Sequence, residues 1–131
     1  MELRRVIDCH VHVFDPGRFP YRPDTHYAPA CQELGTPARL QSLLDVHGVD
    51  HALLVGPNSG YGEDNRCLLD TLAASHGRHR GMAVVRTDIS RAELAVLRGR
   101  GSSASPSTPP FSASTTTPTP AGCCPTSPRS T

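Results

Sequence analysis

The chain has 131 residues, of which 37% are hydrophobic and 19% charged, and its net charge is +1. That suffices for one small domain, since globular domains mostly run to roughly 100–150 residues. The near-neutral balance excludes an electrostatic case for nucleic acid, a membrane surface or acidic partners. No apolar run approaches the roughly 18–20 residues of a membrane span. The opening MELRRVIDCH lacks the apolar stretch and small-residue cleavage site of a signal peptide, so a cytoplasmic protein is expected.

The averages hide two unlike pieces. Residues 1–101 read as an ordinary globular sequence. Residues 102–131 hold 8 Ser, 7 Thr and 7 Pro, and Arg129 is their one charge. The five cysteines, Cys9, Cys31, Cys67, Cys123 and Cys124, are odd in number and form no C-x-x-C pair. Neither a disulfide framework nor a Cys-based zinc site is expected. Cys9 and Cys67 read as small buried hydrophobes.

The first element is a strand, Val6 to Phe14 (VIDCHVHVF), whose β-branched and apolar content predicts burial. Asp15 to Gly35 contains Pro16, Pro20, Pro23 and Pro29, which forbid a long helix or central strand, so an extended loop follows. It carries Phe19, Tyr21 and Tyr27, and a loop of this length in a small domain points to function. Thr36-Pro37 opens a helix, with Thr as N-cap and Pro in the first turn, and Leu40, Leu43, Leu44 and Val46 keep helical spacing up to Gly48.

His51 to Gly56 predicts a second buried strand, and Pro57 to Gly62 a loop at its C-terminal end. Asp64 is expected to cap a helix bearing Cys67, Leu68, Leu69, Leu72 and Ala73, ending near Gly77. Gly81 to Val85 is a third strand. Ser90-Arg-Ala-Glu93 is a capping box for a last helix. Alternating apolar strands and amphipathic helices imply βαβ units and a parallel sheet.

The tail has two readings. One is a disordered linker or stalk. The other is a shifted reading frame. All thirteen basic residues are Arg and none is Lys, as a GC-rich genome would give. If each tail serine is a TCN codon, moving the frame one base back makes it NTC, which encodes only Phe, Leu, Ile or Val. Ser102, Ser103, Ser105, Ser107, Ser112 and Ser114 then become apolar where the next strand is due. The expectation is an out-of-frame tail, and the DNA after the Gly101 codon decides it.

His10 and His12 lie two apart on the first strand, so both imidazoles face one side, and strict alternation adds Asp8. Two imidazoles near a strand's C-terminal end make a half-site for a divalent metal, zinc above all. A metal there would supply an activated water. The pair could instead polarise a carbonyl directly, or be packed core histidines without a metal.

Other candidates carry less. Arg18 and Arg22 could pair with a carboxylate substrate or be solvated loop charges. His26, His47, His51, His76 and His79 share no spacing and read as surface or helix-end residues. Asp88 reads as a helix-entry turn residue. Gly56, Gly60 and Gly62 lack the order of a nucleotide-binding loop.

Asp8–Phe14 (DCHVHVF), followed by Arg18–Pro23 (RFPYRP), Tyr27–Pro29 (YAP) and Val55–Asn65 (VGPNSGYGEDN), resembles the amidohydrolase-related TIM-barrel hydrolases. The resemblance is to their 2-pyrone-4,6-dicarboxylate lactonase branch, over about residues 5–101. It implies His10 and His12 at a barrel mouth, as ligands of a metal or of the substrate carbonyl. It also implies substrate contacts from Tyr27, Asn58 and Ser59. Some lactonases of this type work without metal. The implied substrate is a small carboxylated cyclic ester or amide. The family's remaining histidines and its Asp base belong to later strands, and Asp8 is not that Asp.

A full (β/α)8 barrel takes about 250 residues. The expectation is therefore an α/β chain forming an incomplete barrel of about three βα units, residues 1–101, with a disordered tail at 102–131, inactive alone. The rival readings are a non-enzymatic remnant or interaction segment, and a metal-dependent phosphoesterase using the D-x-H-x-H strand. The RFPY loop argues against the phosphoesterase.

Overall fold

A computed structural model of the chain describes residues 4–107. The tail readings beyond Ser107 lie outside those residues. Four strands, β1 (Ile7–Val11), β2 (His51–Val55), β3 (Arg80–Val85) and β4 (Ser102–Pro106), are connected through three helices. These are α1 (Pro37–Val46), α2 (Arg66–Ala74) and α3 (Arg91–Gly99). The strands form one parallel sheet in the order β1-β2-β3-β4. No helix among the described residues is long and apolar enough to cross a membrane.

Local chemistry sets the helix boundaries. The Thr36 hydroxyl accepts from the Arg39 N–H at 3.3 Å, with Pro37 in the first turn. Gly48, at φ +65°, takes the left-handed conformation that ends α1. Ser90 and Glu93 close a reciprocal capping box at the start of α3. At α2 the expected cap moves by one residue. Asn65 is the N-cap, its side chain is turned elsewhere, and Asp64 takes the Arg66 N–H at 3.1 Å from outside the helix.

The two faces of the sheet differ. A Cβ on Gly81 would sit 2.5 Å from Leu72 Cδ1, so that side of β3 meets α2 directly. Parallel partners share a face. Leu54, Gly81 and Ser102 therefore line up under the helices, followed by Ala83 with Ala104. Leu54 and Ala83 are fully buried there, clustered with Leu44, Leu68 and Leu72. On the opposite face Leu53, Val55 and Met82 stay half-buried and lie outside that cluster.

Several expectations fail locally. β1 is an edge strand of this sheet, not a buried one. Val6 and Ile7 are exposed, as is Cys9. Cys67 is buried as expected. Cys31 is disulfide-bonded, against the expectation from the odd cysteine count. Leu43 and Val46 of α1 face solvent, because α1 buries mainly Leu44. Ser102–Pro106, expected to belong to the tail, pairs along β3 as a fourth strand in the frame as written. Short side chains suffice there, since Ser102 is buried against Gly81.

Candidate active site at the C-terminal end of the sheet

The register of β1 against β2 explains where the imidazoles point. Asp8 pairs with Ala52 and Val11 with Leu54, so three residues of β1 span two of β2 and the register shifts between them. Asp8 and Val11 thus both take the helix-covered face. His10 and His12, on either side of Val11, take the other. The expected Asp8–His10–His12 row is therefore broken. The Asp8 carboxylate instead accepts the backbone N–H of His10 at 3.1 Å. No group of three or more His, Cys, Asp or Glu suited to a metal exists among the described residues.

The structure does bring the two histidines together. Their Nε2 atoms are 3.3 Å apart, with the rings edge-on at 4.9 Å between centroids. His12 Nδ1 lies 2.7 Å from the carbonyl oxygen of Val55, the last residue of β2. A carbonyl only accepts, so Nδ1 carries the proton and the Nε2 of neutral His12 keeps a lone pair. The backbone of β2 thus fixes both tautomer and ring orientation. Both imidazoles are exposed at the C-terminal end of β1.

Behind His12 the aromatic loop folds onto the sheet. Phe14 lies 6.3 Å from the His12 ring and packs with Tyr21 and Tyr61 at 6.1 and 6.0 Å. The Tyr61 hydroxyl accepts the Asp15 N–H at 2.9 Å, and the Tyr21 hydroxyl donates to the Pro29 carbonyl at 2.8 Å. Burial pushes the Tyr21 phenol up to about 12 and the Cys67 thiol up to about 11, so both stay protonated near neutrality. Tyr61 has the same scaffold role. The sequence offered no periodic signal for it, only its place in a loop after a strand.

Two loops meet beside this cluster. Arg22 N–H donates to the Gly60 carbonyl at 2.8 Å, and Gly60 N–H donates to the Thr25 hydroxyl at 2.7 Å. That hydroxyl donates in turn to the Tyr27 carbonyl at 3.1 Å. Tyr27, exposed, and Asn58 and Ser59, exposed and half-buried, thereby sit on loops tied to each other. Gly60, at φ +84°, would crowd Phe14 and Tyr21 if it carried a Cβ.

The two loop arginines are engaged. Arg18 forms a two-pronged pair with Asp70 at 2.8 and 3.2 Å, and Arg22 one with Asp24 at 2.7 and 3.0 Å. Asp88 pairs with Arg86 at the entry to α3. His79 departs from its expected surface position. It is 3% exposed, its Nδ1 accepts the Ala52 N–H at 3.1 Å, and burial lowers its pKa.

A parallel sheet with reactive side chains beyond its carboxyl ends is the arrangement in which α/β proteins bind their ligands. The sequence matches the model of the amidohydrolase family, described as Amidohydrolase, over residues 7–103. The chain belongs to that family, one of hydrolases. It is 38% identical over 97 residues to a 2-pyrone-4,6-dicarboxylate hydrolase from Comamonas testosteroni. The match takes in 73% of this chain and 30% of that protein. A crystal structure of a probable 2-pyrone-4,6-dicarboxylic acid hydrolase from Acinetobacter baumannii, with citric acid bound, superposes with a TM-score of 0.66 at 32% identity. That likeness covers 75% of this chain and 35% of the other. An apo crystal structure from Agrobacterium tumefaciens, 20% identical over 77% of this chain and 36% of its own, shares the fold at a TM-score of 0.66. The chain thus spans about a third of the length of these relatives.

Proposed function

We propose that the chain supplies the first four strands of an eight-stranded lactone hydrolase barrel, whose substrate is a small carboxylated cyclic ester. The observation that carries this reading is the imidazole pair at the C-terminal end of β1, with the His12 tautomer fixed by Val55. Within it, His10 and His12 hold the substrate carbonyl oxygen or a divalent cation. Tyr27, Asn58 and Ser59 line the approach, on loops joined through Thr25 and Gly60.

The donor set fits zinc as a half-site. Two nitrogens at about 2.0–2.1 Å from a tetrahedral ion stand about 3.3–3.4 Å apart, and the two Nε2 atoms are 3.3 Å apart. A bound zinc would supply a Lewis acid and a water of lowered pKa. The other ligands and the base that activates water must come from outside the described residues. The described residues by themselves hold and orient but do not make up a complete hydrolytic set. The compound to test is 2-pyrone-4,6-dicarboxylate, for which the related hydrolases are named.

The test is binding of 2-pyrone-4,6-dicarboxylate to the purified chain, followed through the imidazole NMR signals with and without zinc. The expected result is a shift at His10 and His12 that saturates with ligand and disappears in the double His10→Ala/His12→Ala variant. A ligand response unaltered in that variant sinks the proposal.

A further inference from the structure

The opposite end of the sheet carries a second feature. β3 begins at Arg80 and β4 at Ser102, so in a parallel sheet their first residues lie at the far end from His10 and His12. There a cavity of about 650 Å³ opens between the strands and the end of α3. Three arginines line it, Arg80, Arg98 and Arg100, together with Ser102 and Ser103, and no acidic residue does.

Five of the nine described arginines outside the cavity are held by an aspartate, and none of the three lining it is. Arg18, Arg22, Arg66, Arg78 and Arg86 are each paired with an aspartate within 2.9 Å. Arg80 donates only to the Gly77 and His79 carbonyls, both at 3.3 Å. The guanidinium groups of Arg98 and Arg100 have no hydrogen bond or ion pair among the described residues. Three like charges line one concavity, and each keeps unused forked donors. Arg98 offsets the carbonyl end of α3, but that role accounts neither for Arg80, on a strand, nor for the lack of any acid.

We propose that this cavity binds a small, multiply charged phosphate, a diphosphate group or a sugar bisphosphate, at a site separate from the imidazole pair. The guanidinium fork matches the spacing of phosphate oxygens. The volume lies within the roughly 300–1,000 Å³ of small-ligand sites. Glycine at Gly101, φ +81°, and at Gly99, with nothing near its missing Cβ, leaves the rim open to backbone approach.

The experiment is calorimetric titration of the full chain with pyrophosphate in chelator-treated, low-salt buffer, alongside inorganic phosphate and malonate. One site is expected, tighter for pyrophosphate than for the other two, and weakening as salt rises. The double variant Arg98→Gln/Arg100→Gln, at exposed positions that leave the core intact, is expected to lose at least tenfold in affinity. Arg91→Gln, at the far end of α3, is expected to bind as the unaltered chain does. Absence of pyrophosphate binding overturns the proposal, as does equal affinity in the double variant or an equal loss in Arg91→Gln. Malonate binding as tightly as pyrophosphate overturns the assignment to phosphates.

Discussion

Asn65 pairs with the backbone of Val84 in both directions: Nδ2 donates to the Val84 carbonyl at 2.7 Å and Oδ1 accepts the Val84 N–H at 3.0 Å. The side-chain amide thus acts as one more peptide unit beside β3, and it ties the loop carrying Asn58 and Ser59 to the sheet. This explains why Asn65 begins α2 without capping it.

Removing that amide leaves two backbone groups of β3 unpaired. At about 1 kcal/mol for each hydrogen bond and somewhat more where the abandoned group is shielded, Asn65→Ala is expected to destabilise the fold by about 2–3 kcal/mol. Asn65→Asp keeps the acceptor and loses the donor, placing a carboxylate against the Val84 carbonyl, and should not rescue. Urea unfolding followed by circular dichroism measures both. An Asn65→Ala variant within about 0.5 kcal/mol of the original chain would show that the bracket is dispensable.

The imidazole pair predicts a modest zinc affinity, because the described residues offer two ligands where structural zinc takes four. Either His10→Ala or His12→Ala is expected to weaken zinc binding at least tenfold, measured by competition with a chromogenic chelator. Hydrolysis of 2-pyrone-4,6-dicarboxylate by the zinc-loaded chain is expected to stay at the buffer rate. Turnover that depends on His10 would instead place a complete hydrolytic set within the chain.

The sheet's exposed edges predict self-association. β1 and β4 are the outer strands among the described residues, and Ile7 is 56% exposed on β1. Unpaired parallel edges with apolar side chains template further pairing. Sedimentation velocity is expected to show species heavier than the 14.0 kDa monomer growing with concentration, and Ile7→Lys is expected to reduce them. A single monomeric boundary at all concentrations would contradict this.

The fold was legible wherever one residue type has one local use. Thr36-Pro37, Gly48 and the Ser90–Glu93 box each mark a helix boundary that the structure keeps. Strict alternation misled at β1, because a register shift leaves no mark in composition. It carried Asp8 to the helix-covered face and left His10 and His12 together. Cys9 and His79 depart from the sequence expectation for a related reason. Whether a small or polar side chain is covered depends on what packs over its strand, and that is a tertiary matter. Ser102–Pro106 has poor strand propensity, but Gly81 leaves room for a buried serine beside it and the β3 backbone supplies the ladder.

His79 gives the pH prediction. Its imidazole is buried, and burial, then Arg78 and His51, lowers its pKa, while Asp45 opposes them. Nδ1 accepts the Ala52 N–H and Nε2 faces the Gln41 side-chain oxygen at 3.4 Å, so the fold holds the neutral ring with its proton on Nε2. Below about 6.5, the ordinary value, the unfolded chain takes up a proton that the folded chain refuses. Stability from this residue is therefore complete above that pH and declines as pH falls toward the lowered folded value. Asp24, Asp45, Asp64, Asp88 and Glu93, whose pKa values are held down mainly by hydrogen bonds to their side-chain partners, act in a separate, more acidic window. Urea midpoints measured between pH 5 and 7.5 should fall on the acid side. His79→Gln retains an acceptor without the titration, and should flatten the profile at some cost in stability throughout. An unchanged slope in His79→Gln would assign the acid loss to another group.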